Sequence, residues 1–323
     1  MKIKLVLTGG TIGSVADENG IINTNPETAA SKLTEGLYER RPDYRELIKF
    51  DVSQPLDLLS ENLNLTHLNE LVGHLKTIDF SRYHGLIITL GTDTLAFSSN
   101  LLAILLEGIG IPVFFIASSK PLTEENANGL DNFEKAIEYL HEEIEPSAYV
   151  PFKNKNGEMI IHGANRLVQS QDLSPDFYSA HHKLNNTQKI ISDLFVPMPT
   201  ETNEVRGNAP LLNKINELKG NILVVAPYPG CNYNNYNLEG VDAVLHRTYH
   251  SSTVSVATEE DFSIFTLKAK CDERNIPLYF TPLLSTAKQL YSTTDEIIKR
   301  GIIPLYDMTF EMSYIYLLLK QSL

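Results

Sequence analysis

Short apolar runs rich in β-branched residues alternate along this chain with stretches of helical periodicity, and that rhythm restricts the fold more than any other feature. A continuously apolar strand has to be buried on both faces, and helices between such strands are what cover a parallel sheet. The strand candidates are IKLVLT (3–8), GLIITL (85–90), PVFFIA (112–117) and AYVPF (148–152), with helix patterns at about 62–77, 94–108 and 128–144. Over VPMPTETNEVRGNAP (196–210) Pro, Thr, Asn and Gly replace the periodic patterns, which reads as a linker. The rhythm resumes with NILVVAP (221–227), a helix near 259–273, IPLYFTP (276–282), a short helix near 294–300 and a closing helix TFEMSYIYLLLKQ (309–321). The expected class is α/β: a larger N-terminal doubly wound, mostly parallel sheet domain over 1–190, a linker over 191–215, and a smaller C-terminal α/β domain over 216–323. A length of 323 residues suits two such domains.

Charge and cysteine usage narrow the function. The formal charge is −13, from 27 Lys and Arg against 40 Asp and Glu, and no basic block tracks a phosphate backbone, so nucleic acid is not an expected partner. Cys231 and Cys271 are too few for a disulfide framework or a zinc site, and read as reduced thiols. The N-terminal apolar run stops at Gly9, short of a signal-peptide core, and NLLAILLEGIGIPVFFIA is broken by Glu107, two glycines and Pro112; neither a leader nor a membrane span is expected.

Ligands of doubly wound sheets bind beyond the carboxyl ends of the strands, so the residues just after each strand are the ones to inspect. Two positions stand out: Thr8-Gly9-Gly10-Thr11, and Gly91-Thr92-Asp93-Thr94. Each sets threonine and small residues where backbone amides can hold an anion or oxyanion. A phosphate loop would need a lysine after its glycines, or Gly-x-Gly-x-x-Gly opening a helix; TGGTIGS has neither. Taken singly, the first loop is also readable as a plain tight turn, and Thr92 or Asp93 as caps of the helix that follows.

Together, TGGTIG and GTDTLAFSS resemble the two signature motifs of the bacterial-type L-asparaginases. IPVFFIASSKPLTEENANGLDNFEKAI resembles that family's third strand and following loop, and IIPLYDMTFEMSYIYLLL its closing helix, so the likeness spans most of the chain. The resemblance implies hydrolysis of an amino-acid side-chain amide through a threonine nucleophile and an acyl-enzyme, without metal or organic cofactor. It places the nucleophile at Thr11, and the second threonine and its aspartate at Thr92 and Asp93. PLDLLSEN resembles the substrate loop, which puts Ser60 and Glu61 at the substrate's α-carboxylate and α-amine, with Gly91 and Asp93 completing the pocket. The bare pattern of SENLNLTHLNEL equally makes Ser60 a helix cap. The cytoplasmic branch is the better match, and a homodimer or dimer of dimers is expected.

Two departures from the family are visible. Ile21 stands near the position of a tyrosine, and aligning on Asn165-Arg166 puts Gln169 where a lysine is expected, so two groups that would take the Thr11 proton are missing. Tyr38, Tyr44 and Lys120 are the nearest substitutes by sequence. Lys120, Gln169 and His250 are candidates for a supporting or effector role, and His162 precedes the divergent lysine segment. The resemblance, with these departures, implies L-asparagine or a related amide as the substrate. The rival readings are an amino-acid-binding sensor that keeps the pocket without efficient turnover, and an ammonia-supplying subunit of a tRNA-dependent enzyme.

Overall fold

The computed structural model describes residues 1–16, 19, 22–24, 26–142, 144–181, 184–194 and 209–323. They fall into two compact units. The first holds Met1–Ala180 and the segment ending at Asn216; the second holds the described part of His181–Phe195 and all of Glu217–Leu323.

The first unit is built on a six-stranded sheet, in spatial order Lys49–Ser53, Lys2–Val6, Gly85–Thr89, Val113–Ile116, Ala148–Lys153, Met159–Gly163. The first four pairings are parallel, and the last is an antiparallel hairpin. The order reverses at Lys2–Val6, whose two neighbours are the next strands of this sheet in sequence. This is the switch point at which doubly wound sheets leave a crevice. Gly85–Thr89 and Val113–Ile116 are buried at every position, as continuous apolar runs inside a covered sheet must be. Ile3, Leu5, Ile87, Phe114 and Ile116 form a core with Leu33 and Leu37 of the helix Pro26–Arg40 and Phe133 and Ile137 of the helix Gly129–His141.

Most helix boundaries follow local chemistry. Leu65–Lys76 begins at Asn64, whose Oδ1 accepts from the amides of Thr66 (3.0 Å) and His67 (3.3 Å). Leu95–Leu105 is buried almost all round and stops before Gly108, which sits at φ 86°.

The second unit carries a four-stranded sheet in sequential order: Ile222–Val225, Ala243–Arg247, Leu278–Leu283, Ile303–Tyr306, every pairing parallel. Val225, Val244, Leu278 and Phe280 pack there with Ile264 and Leu267 of the helix Ile264–Asp272 and with Ile297 of Ser292–Lys299. The helix expected at 259–273 is divided: a 3₁₀ turn, Glu260–Phe262, precedes Ser263, whose Oγ then accepts from the Phe265 amide at 3.4 Å.

Most of the expected linker, 195–208, lies outside the described residues. Helices flank it: Thr187–Asp193, within the second unit, and Pro210–Lys214, within the first. Asn185 explains the first assignment. Its amide donates to the Asp307 carbonyl at 2.8 Å, its Oδ1 accepts from the Thr309 amide at 2.8 Å, and its Nδ2 donates to Thr309 Oγ1 at 3.2 Å. Among the described residues no helix is long and apolar enough to cross a membrane.

Candidate active site

The site is assembled where Lys2–Val6, the strand at the reversal, and its neighbour Gly85–Thr89 come to their carboxyl ends. Thr8 Oγ1 donates to the Thr89 carbonyl at 2.6 Å, and the Thr8 amide donates to Thr89 Oγ1 at 3.1 Å, both buried. This pair of hydrogen bonds locks the two strands side by side at their exits. Sequence patterning alone passes over Thr89, although a hydroxyl at the end of the apolar run GLIITL was the signal.

Beyond that lock, three segments meet at glycines. Gly9 (φ 90°) and Gly10 (φ 75°) both occupy the left-handed region. A Cβ on Gly9 would lie 2.5 Å from the Leu58 nitrogen, one on Gly10 would lie 2.8 Å from Gly91 Cα, and one on Gly91 would lie 2.3 Å from Ser60 Cβ. The Gly10 amide donates to the Leu58 carbonyl at 2.8 Å, and Ser14 Oγ donates to the Gly10 carbonyl at 2.8 Å. Backbone therefore touches backbone between loop 8–11 and each of loops 56–61 and 90–94, and Gly91 makes room for the Ser60 side chain. Thr11 and Thr92 each follow one of two glycines in mutual contact, so the fold brings both threonines to one place.

The capping alternatives have a structural answer. The helix Leu95–Leu105 has Thr94 as its N-cap, without a side-chain bond, and neither Thr92 nor Asp93 caps it. Ser60 opens a 3₁₀ turn, Ser60–Asn62, and leaves the capping of Leu65–Lys76 to Asn64. Ser60 Oγ instead donates to Asp93 Oδ2 at 3.1 Å and accepts from the Asp93 amide at 3.3 Å. Ser60 and Gly91 are buried, Thr11 and Thr92 half-buried, and Asp93 and Glu61 exposed. Half-buried hydroxyls flanked by exposed carboxylates suit a small polar ligand carrying an ammonium group.

Gln169 reaches the same place: its Nε2 donates to the Thr92 carbonyl at 3.5 Å. The segment carrying it is held by the buried helix Leu95–Leu105, where Asn100 Nδ2 donates to the Leu167 carbonyl at 3.0 Å and Ser99 Oγ to the Ala164 carbonyl at 3.4 Å. Ile21 lies outside the described residues. Tyr38 sits on the helix Pro26–Arg40 with its hydroxyl on the Ile48 carbonyl at 3.3 Å, and burial first, then the Glu35 charge, push its pKa up. Tyr44 is buried and stacked on His141. Neither phenol is bonded to a residue of the three loops.

Lys120 is exposed, its Nζ donating to the Glu125 carbonyl at 3.2 Å. His250 is exposed in the turn closed by the Tyr249 amide on the Thr253 carbonyl, within the second unit. His162 is buried on the edge strand with Nδ1 at 2.8 Å from Ser179 Oγ; burial, then the Arg166 charge, hold its pKa down at about 4, so it is neutral at pH 7. Among the described residues no group of three His, Cys, Asp or Glu is arranged to hold a metal ion.

Comparison with known proteins bears on the family. The family pattern described as Asparaginase, N-terminal, matches residues 2–190 and so runs through Thr11, Ser60, Thr92 and Gln169. An L-asparaginase of Thermococcus kodakarensis is 30% identical over 157 residues, 48% of this chain and 45% of that protein, so the chain matches less than half of this relative's length. A glutamyl-tRNA(Gln) amidotransferase chain of Thermoplasma volcanium is 22% identical over 320 residues, 97% of this chain and 74% of that one. Among solved structures, the thermostable L-asparaginase from Thermococcus kodakarensis shares the fold with a TM-score of 0.72 at 22% identity, covering 100% of this chain and 93% of that one. With the matched pattern extending over more than half of the chain, this chain belongs to the asparaginase family.

Proposed function

We propose that this protein is an amidohydrolase that cleaves the side-chain amide of L-asparagine, or of a closely related amide, to the acid and ammonia. The observation that carries the reading is the meeting of Gly10 with Gly91, which sets Thr11 beside Thr92 with the Ser60–Asp93 pair joining the third loop. In this reading Thr11 Oγ attacks the amide carbon, its proton passes to the departing nitrogen, and ammonia leaves an ester on Thr11. Water then adds to the ester carbon and frees the carboxylic acid, returning the proton to Oγ. Backbone amides of the glycine-containing loops stabilise the oxyanion formed in both additions. Asp93 and Glu61 receive the substrate's ammonium, and Ser60 its carboxylate. Thr92 orients the attacking water or the group that activates Thr11.

The chain acts as a cytoplasmic homodimer or dimer of dimers. Light scattering on the purified protein reads that assembly directly. Ammonia release from L-asparagine, L-glutamine, D-asparagine and peptide-terminal asparagine tests the activity. Thr11→Ala is expected to lose at least about 1000-fold in kcat/KM with an unchanged circular dichroism spectrum; a variant retaining about a tenth of the parent rate sinks the mechanism.

Gln169 favours a second reading, because a carboxamide cannot take the threonine proton as an amine can. That protein binds an amino acid and turns it over slowly or not at all. A rise in melting temperature with L-aspartate, together with no ammonia from any amide, selects it. The match of nearly the whole chain to a tRNA amidotransferase component supports a third role, supplying ammonia to a partner enzyme, which co-purification of such a partner would reveal.

A further inference from the structure

One strand further along the sheet from Thr92 lies a groove of about 850 Å³, of a size that takes a small molecule. The Leu90 amide donates to the Ile116 carbonyl at 2.8 Å, so the loop Ser118-Ser119-Lys120 leaves the sheet beside Gly91-Thr92-Asp93. Lys120 lines the groove from this loop and Lys153 and Lys155 from the end of the next strand, together with Arg40 and Asp131.

The walls are fixed by buried amides. Asn128 Oδ1 accepts from the Ser119 amide at 2.8 Å while its Nδ2 donates to the Lys153 carbonyl at 2.8 Å. Asn132, fully buried, donates to the Ala117 carbonyl at 2.9 Å and accepts from the Lys153 amide at 2.8 Å. Both wall segments are thereby tied to the helix Gly129–His141 and its N-cap, so the cavity is a built feature of the fold.

Its cations are unevenly paired. Asp131 holds Arg40 at 2.6 Å and Lys153 at 2.8 Å, and Arg40 is shared with Glu134 at 3.1 Å. The Lys120 ammonium meets a neutral carbonyl. Lys155 donates its backbone amide to Asp176 at 2.6 Å, and among the described residues no carboxylate pairs with its ammonium. Glu124 is the one further carboxylate in the lining, and Glu134 on Arg40 and Asp176 beside Lys155 stand at its margin, so what the groove offers an anion is the two ammonium groups of Lys120 and Lys155 that no carboxylate holds among the described residues, not an excess of charge.

We propose that this groove is a binding site for a small multiply charged anion, carrying carboxylate or phosphate groups, held between Lys120 and Lys155. The inference does not rest on amide hydrolysis. Titration calorimetry of the full-length protein with citrate and, separately, inorganic phosphate tests it, and the arm that responds tells which anion chemistry the groove takes. At least one probe is expected to bind saturably at one site per chain, weakening with added salt, and the Lys120→Ala/Lys155→Ala double variant to lose at least tenfold in affinity. Both side chains are exposed, so melting without ligand checks that the variant is folded. A Lys49→Ala/Lys299→Ala variant, removing two exposed lysines elsewhere, is expected to bind like the parent. Absence of saturable binding by both probes, or equal binding by the Lys120/Lys155 double variant and the parent, overturns the proposal.

Discussion

Gly10 does two jobs that no other residue type can do together. Its φ of 75° excludes most side chains, and any Cβ there would press on the Gly91 backbone. Gly10→Ala should therefore cost about 2 kcal/mol or more and separate Thr11 from Thr92; urea unfolding and ammonia release read the two effects independently, and a variant with parent activity contradicts the assembled site. Gln169 supports the opposite experiment. It already reaches the Thr92 loop, so Gln169→Lys puts an amine where the carboxamide now lies, and kcat/KM for L-asparagine should rise at least about tenfold. An unchanged rate would show that the activator of Thr11 lies elsewhere. The residues of both signatures were visible in sequence, but their freedom from capping duty was not. That depends on Thr94 and Asn64 being the caps, a matter of where each helix begins.

Most central strands read as apolar runs, as does the edge strand Ile222–Val225, whereas Lys49–Ser53, Met159–Gly163 and Ile303–Tyr306, all at sheet edges, passed unnoticed. An edge strand has one open side and carries charges or proline to block further pairing, which erases the apolar signal. Lys49–Ser53 shows the compensation. Asp51 accepts from Lys4 Nζ at 2.8 Å and Tyr83 Oη at 2.7 Å, and these bonds hold its carboxyl down at about 2. Lys4 is buried in the neighbouring strand. Removing its partner with Asp51→Ala should cost about 1–2 kcal/mol, reduced from the fully buried case because Asp51 is partly exposed. Equal urea midpoints for parent and variant would assign the edge strand's attachment to its backbone ladder alone.

Each unit of the molecule buries a neutral histidine. His162 lies in the first; His246 lies in the second, with Nε2 at 3.0 Å from Tyr233 Oη and Nδ1 at 2.6 Å from the Arg247 carbonyl. Burial lowers the pKa of both to about 4, below the ordinary 6.5. Between those values the unfolded chain binds protons that the folded chain refuses, so stability falls as pH drops from about 6.5 to 4, by up to about 3 kcal/mol per histidine. Asp51 adds its own loss only below about 4. Urea midpoints measured from about pH 8 to pH 4 should be level above about 7 and decline through the histidine window; a curve flat down to about pH 5 would contradict the neutral, buried state of these rings.

Taken as a whole, the α/β class and the positions of most central strands follow from sequence alone, because burial on both faces demands unbroken apolar runs and local periodicity records it. The pairing of the two threonine loops also follows from sequence, through the likeness of their motifs to one family. What only the tertiary structure decided is what stands next to what. The strand order reverses at Lys2–Val6, and this sets the loops 8–11, 56–61 and 90–94, far apart in the chain, in contact through three glycines. The same packing carries Gln169 to Thr92 and shapes a lysine-lined groove one strand away. Such contacts arise from strand order and close backbone approach, neither of which leaves a periodic trace in the chain.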